Sequence, residues 1–135
     1  MTIGRDYDRL QVLQEEKTLP EQVIPCPGML EIKELSLRIL CRPAAAPLKT
    51  YDAFTVAATG PVTVGPRRPG DAITLAGGSK SLKKLFIDRK IPAAQRNLIP
   101  VLRDQAGILG VYKIGADCRR LADTLPAVEL RFESM

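Results

Sequence analysis

The sequence predicts an α+β fold, a β-rich sandwich or barrel-like core carrying two short helices. Three observations predict it. Apolar side chains alternate at period two over residues 35–41, with Leu35, Leu37, Ile39 and Cys41 on one face. They alternate again over residues 127–133, with Val128, Leu130 and Phe132 inward; this is the spacing of a half-buried strand. Only residues 81–90 carry a helical stripe, Leu82, Leu85 and Phe86 at i, i+3 and i+4, which places one apolar face against a core.

Taken in order, residues 6–14 alternate at Tyr7, Leu10 and Val12 and predict a strand. A charged turn follows over residues 15–20, then a short strand at Val23-Ile24. Pro25-Cys26-Pro27-Gly28 predicts a turn, since proline presets φ and glycine tolerates unusual backbone angles. Strands are expected over residues 29–32 and 35–41, a proline-broken loop over 42–47, and a short strand over 61–64. Residues 51–59 give no clear signal. Arg67-Arg68-Pro69-Gly70-Asp71 reads as a turn, residues 72–75 as a strand, and residues 77–81 as a flexible connection whose Ser81 caps the first helix. Within that helix Lys84 and Asp88 form an i, i+4 pair. Pro92 suits the first turn of a second helix over residues 93–98, ended by Pro100. Residues 101–103 and 108–112 predict a hairpin around Asp104-Gln105-Ala106-Gly107. Residues 117–123 are ambiguous. The division expected is a β-rich supporting unit over 1–66 and a second unit over 67–135.

At 135 residues and 45% apolar content the chain can bury a core. With three Phe, three Tyr and no Trp, that core rests on Leu, Ile, Val and Ala, and little remains for an aromatic base-stacking surface. There is no His, which removes Ser-His and Cys-His nucleophilic pairs and the usual zinc sets. Cys26, Cys41 and Cys118 are odd in number and far apart, so they form neither a disulfide framework nor a C-x-x-C site. No apolar run approaches a membrane span and no secretory leader pattern opens the chain; the expectation is a cytoplasmic protein without a membrane partner.

Charge is unevenly placed. Residues 1–66 hold 7 basic and 8 acidic side chains, whereas residues 67–120 hold 12 basic and 4 acidic ones. Clustered Lys and Arg release counterions on meeting phosphates, so a polyanion is the expected partner. The basic candidates are Arg67, Arg68, Lys80, Lys83, Lys84, Arg89, Lys90 and Arg96; taken singly, each reads as a solvated or salt-bridging side chain, and taken together they read as a phosphate-tracking surface. The acidic residues of the first half read as solvated positions. Gly77-Gly78-Ser79-Lys80-Ser81 precedes a helix as phosphate loops do, but it is not G-x-x-x-x-G-K-[ST]. No catalytic motif is found.

The run from Arg67-Arg68-Pro69-Gly70-Asp71 through Leu85-Phe86-Ile87-Asp88-Arg89-Lys90-Ile91-Pro92, Arg96 and Pro100-Val101-Leu102 to Val111-Tyr112-Lys113-Ile114-Gly115 resembles the C-terminal domain of bacterial tRNA(Ile)-lysidine synthetase. The match covers about 50 residues. It departs from the family form at Gly65, where an Arg is frequent, at the short Gly77-Gly78 loop, and at Gly110, where the family often has a bulky residue. The family's S-G-G-x-D-S nucleotide motif is absent from this sequence. The resemblance implies tRNA binding within an ATP-dependent ligase that adenylates the wobble cytidine of the CAU-anticodon isoleucine tRNA and displaces AMP with lysine. ATP with Mg and lysine would serve a catalytic N-terminal domain missing from this chain. The tRNA-binding residues then expected here are Arg67, Arg68, Lys80, Lys83, Lys84, Lys90 and Arg96. The alternative is a non-catalytic structural or dimerisation module, such as a homodimer, with a solvated basic face.

Overall fold

The computed structural model describes residues 18–58 and 60–134. The strand expected over residues 6–14 lies outside them. Eleven strands and two short helices are placed. The strands are β1 (Gln22–Ile24), β2 (Gly28–Ile32), β3 (Leu37–Pro43), β4 (Ala53–Val56), β5 (Val62–Gly65), β6 (Ala72–Leu75) and β7 (Gly78–Ser81), then β8 (Val101–Asp104), β9 (Gly107–Val111), β10 (Gly115–Ala116) and β11 (Val128–Ser134). The helices are α1 (Leu82–Asp88) and α2 (Ala93–Arg96).

The strands form a five-stranded sheet in the order β1-β5-β8-β9-β10, a four-stranded sheet in the order β2-β3-β11-β4, and the hairpin β6-β7. Strands from both sides of residue 66 enter both large sheets, and β11 runs between β3 and β4. The two sheets close on one apolar core. Ile39, Phe54, Leu130 and Phe132 come from one sheet and Ile24, Val64, Leu102 and Leu109 from the other. This is the sandwich form of the predicted fold class.

The period-two pattern explains the four-stranded sheet. Leu37, Ile39 and Cys41 are buried while Arg38 and Leu40 turn outward, and Leu130 and Phe132 alternate with Glu129, Arg131 and Glu133. The sequence placed Leu35 in this strand, but it closes a 3-10 turn instead, and Ser36 takes a left-handed conformation at φ 49° that re-aims the chain into β3. In β9 the register slips by one residue: Leu102 pairs with Gly110 but Arg103 with Ile108, leaving Leu109 as a bulge. Gly110 matters here. A Cβ at this position would lie 2.5 Å from Phe54 Cζ, so the space a larger side chain would need is filled by the β4 phenyl ring.

The other face of the five-stranded sheet carries a second layer. Val101, Ile108 and Val111 turn toward it and pack with Ile73 of β6 and Leu82, Leu85 and Phe86 of α1. Full burial of one such side chain contributes about 1.5–3 kcal/mol. The stripe predicted from sequence is the face that packs. Ser81 caps α1, its hydroxyl accepting from the Lys84 N–H at 3.1 Å. Residues 77–81, however, are not a flexible connection: Gly78–Ser81 pairs along its whole length with Ala72–Leu75. Its apolar content is nil, so the ladder and not hydrophobic pattern makes it a strand. The Lys84–Asp88 pair is also replaced; Asp88 faces Lys80 at 3.9 Å, because β7 runs directly into α1 and brings Lys80 alongside. The second helix is a single turn and stops at Arg96 rather than Leu98.

Candidate nucleic-acid interface

The Arg67–Asp71 turn joins β5 to β6 and is fixed from beneath. Asp71 accepts from the Arg68 N–H at 2.6 Å, closing the turn, and Gly70 supplies the required positive φ of 84°. Arg103, on β8, donates to both Asp71 oxygens at 3.1 and 2.6 Å and to the Pro66 carbonyl at 3.1 Å. It therefore clasps both ends of the turn with a two-pronged, charge-assisted geometry. Burial pushes the Asp71 carboxyl up, but its hydrogen bonds and the Arg103 and Arg68 charges together outweigh that and hold it below the usual carboxylate range. The sequence placed Asp71 in a turn and singled out no role for Arg103; their contact spans 32 residues and has no local signal.

Above this clasp lies a cleft of about 640 Å³, lined by Arg67, Arg68, Lys83, Ser81 and Asn97 with the turn itself. Arg67 is pre-oriented. Its Nε donates to Asn97 Oδ1 at 3.3 Å and its guanidinium sits 5.6 Å from the centre of the Phe86 ring. Arg68 is exposed, and both its Nε and Nη2 donate to Glu21 Oε2, the Nε at 3.0 Å. Lys83 projects from the first turn of α1; among the described residues no carboxylate lies within ion-pair distance of it, nor of Lys84 or Lys90.

The predicted cations thus separate into groups. Arg67, Arg68 and Lys83 converge on the cleft. Lys80, Lys84 and Lys90 are exposed on the same hairpin–helix layer but do not line it. Lys90 adopts φ 58° at the end of α1. There the Lys90 N–H reaches the Ile87 carbonyl and the Ile91 N–H reaches that of Phe86, the arrangement that usually holds glycine. Arg96 is half-buried, its Nε donating to the Ile91 carbonyl at 2.9 Å, and it does not line the cleft. Arg89 donates its Nη1 to the Lys113 carbonyl, at 3.5 Å.

A second cleft opens on the other side of the turn, past Arg103 toward Arg119 and Arg120. Its arginines are matched: Arg119 with Asp117 at 3.0 Å, Arg120 with Asp104 and Arg103 with Asp71. Asp117 also accepts from the Thr74 N–H. Burial raises its carboxyl, but the Arg119 and Thr74 hydrogen bonds prevail and lower it. The Thr74–Asp117 bond ties the residues after β10 to β6, and the Arg120–Asp104 pair ties them to β8. No group of three or more metal-ligating side chains occurs among the described residues, and none of their helices is long and apolar enough to cross a membrane.

The fold and site define an α+β domain in which a hairpin–helix layer, mounted on a two-sheet sandwich, presents a cationic cleft beside a clasped arginine turn. Residues 62–131 match the family model described as TilS substrate C-terminal domain, and the chain belongs to that family. It is 33% identical over 141 residues to a tRNA(Ile)-lysidine synthase of Clostridioides difficile, covering 92% of this chain and 30% of that protein. A bifunctional protein TilS/HprT of Listeria monocytogenes serotype 4b is 29% identical, over 87% of this chain and 20% of its own length. The chain therefore spans less than a third of these curated relatives. Among solved structures, one titled as the crystal structure of a TILS C-terminal domain superposes with a TM-score of 0.73 at 26% identity, over 86% of this chain and 98% of that one.

Proposed function

We propose that this chain is the tRNA-gripping C-terminal region of a tRNA(Ile)-lysidine synthetase and positions the CAU-anticodon isoleucine tRNA for conversion of its wobble cytidine to lysidine. The observation that carries this reading is the convergence of Arg67, Arg68 and Lys83 on one cleft above the clasped turn. Phosphate contacts of this kind orient a nucleic acid without reading its sequence. Lys80, Lys84 and Lys90 extend the positive surface along the same layer, and Arg96, bonded to the Ile91 carbonyl, adds a further positive charge. In this reading the chain works in the cytoplasm with a catalytic portion that uses ATP, Mg and lysine; none of the residues described here is assigned to that chemistry. The rival, a structural or dimerisation module, calls for an apolar outer face on β2 and β3. That face does carry Met29 opposite Leu40, but beside them Arg38 is paired with Glu31 and Glu133; this mixed, charged surface weighs for the first reading.

The test is binding of the chain to this tRNA across a salt series, against the same tRNA with its acceptor stem replaced. Salt-dependent binding that weakens on the stem swap is expected. Lys83→Gln should weaken binding to both and shallow the slope of log K against log salt by about one. Binding that ignores salt, or no binding at low salt, contradicts the proposal.

A further inference from the structure

Glu21 lies just before β1 and has no part in the sandwich core; its side chain and that of Arg68 are 54% and 52% exposed. Its stem rests in the space left by Gly65, where a Cβ would come within 2.8 Å of Glu21 Cγ. Because Gln22 pairs with Val64 across the β1–β5 ladder, that position is set by the sheet rather than by a floppy loop. From there the carboxylate reaches over the rim of the cleft to Arg68.

Two arginine–carboxylate pairs therefore flank one turn, and their geometries differ. Arg103 matches two nitrogens to two oxygens of Asp71 in a nearly buried site. Arg68 directs two of its nitrogens, Nε and Nη2, at one oxygen of Glu21, in solvent. A pair of the second kind is held weakly and exchanges readily, and a phosphate with two free oxygens makes the better partner for a guanidinium fork. Glu21 is also a negative charge at the mouth of a cleft that otherwise offers Arg67, Arg68 and Lys83.

We infer that Glu21 is a built-in competitor for the backbone phosphate of RNA at Arg68, a carboxylate that must be displaced before the cleft engages its ligand and that sets how tightly it does so. This rests on the reading of the cleft as a tRNA-binding surface. It carries a sign that a structural role does not: removing Glu21 should improve binding. In the resting protein Arg68 is already neutralised, so phosphate binding there frees a carboxylate that recruits a cation from solution, and net counterion release is reduced. Without Glu21 that loss disappears.

The experiment measures binding of isoleucine tRNA with a CAU anticodon to the full chain, to Glu21→Gln, to Arg68→Gln and to the double variant, over a salt series, with thermal melting of each. Glu21→Gln is expected to bind about three- to tenfold more tightly at low salt, with a slope steeper by about one. Arg68→Gln should bind more weakly than the unaltered chain, and the double variant should match Arg68→Gln, since the gain acts through Arg68. Glu21→Ala should repeat the gain if the glutamine variant melts early. If the unaltered chain binds and Glu21→Gln binds equally or more weakly, the competitor role is overturned while the tRNA-binding reading stands. If neither the unaltered chain nor any variant binds at low salt, both fall.

Discussion

The two solvent faces of this domain handle charge in opposite ways. On the outer face of the four-stranded sheet, charged side chains neutralise one another across strands. Arg38 stands opposite both Glu31 and Glu133, and buried Glu129 accepts from Arg42 at 2.9 Å and Arg131 at 3.1 Å. Cross-strand pairs of opposite sign stabilise a sheet modestly and leave little net field. On the hairpin–helix face, Lys83, Lys84 and Lys90 have no carboxylate within reach among the described residues, and Arg67 is held by an amide and a phenyl ring. A face whose charges are spent on each other is finished; a face that keeps unmatched cations beside the Arg68–Glu21 and Lys80–Asp88 pairs is poised for an outside anion.

The strongest way to break this contrast is to attack the clasp on which the cationic face depends. Arg103→Met should destabilise the domain by about 3 kcal/mol, since it leaves the Asp71 carboxylate without its buried partner; chemical denaturation measures this, and tRNA affinity should fall with it. A destabilisation below about 0.5 kcal/mol would mean that the turn holds itself.

The next effect separates the faces through pH. Burial pushes the Glu129 carboxyl up, but its bonds to Arg42 and Arg131 and their charges outweigh this and lower it below the usual range. A lowered folded value means that stability is fully present above the unfolded carboxylate value, about pH 4.3, and is lost as pH falls through the folded one. Glu129→Gln should thus melt earlier than the unaltered chain at pH 7, and the gap should narrow below about pH 4. Affinity for tRNA at neutral pH should not change, because this charge lies on the finished face.

The smallest effect concerns Lys90. With φ at 58° it pays for a left-handed conformation that glycine adopts without strain. Lys90→Gly should raise stability by on the order of 1 kcal/mol while weakening tRNA binding slightly. A variant that loses stability would show that the lysine side chain packs usefully there.

How much of this was readable in the sequence follows from where each signal is stored. Strands β3 and β11 and helix α1 carry their own periodicity, so alternation at Leu37, Ile39 and Cys41 and the stripe Leu82, Leu85 and Phe86 sufficed. Strand β7 has no such pattern; Gly78–Ser81 is a strand only because Ala72–Leu75 lies beside it. The cations of the cleft were visible as a cluster, and Arg67, Arg68 and Lys83 were among those named. Which of them converge was not, because that depends on partners 30 to 47 residues away, Asn97 for Arg67 and Glu21 for Arg68. Arg96 shows the converse: its charge suggested a ligand contact, while the carbonyl of Ile91, five residues back, takes up its Nε. Charge is written locally, but what a charge is free to do is decided by the fold.

The most direct test of the division between faces is a titration of the isotopically labelled chain with the isoleucine tRNA, followed by NMR of backbone amides and arginine side chains. The account predicts that signals of Arg67, Arg68, Gly70, Lys83 and Asn97 shift or broaden first, while those of Glu31, Arg38, Arg131 and Glu133 stay in place. Perturbation centred on the four-stranded sheet, with the cleft unmoved, would contradict it.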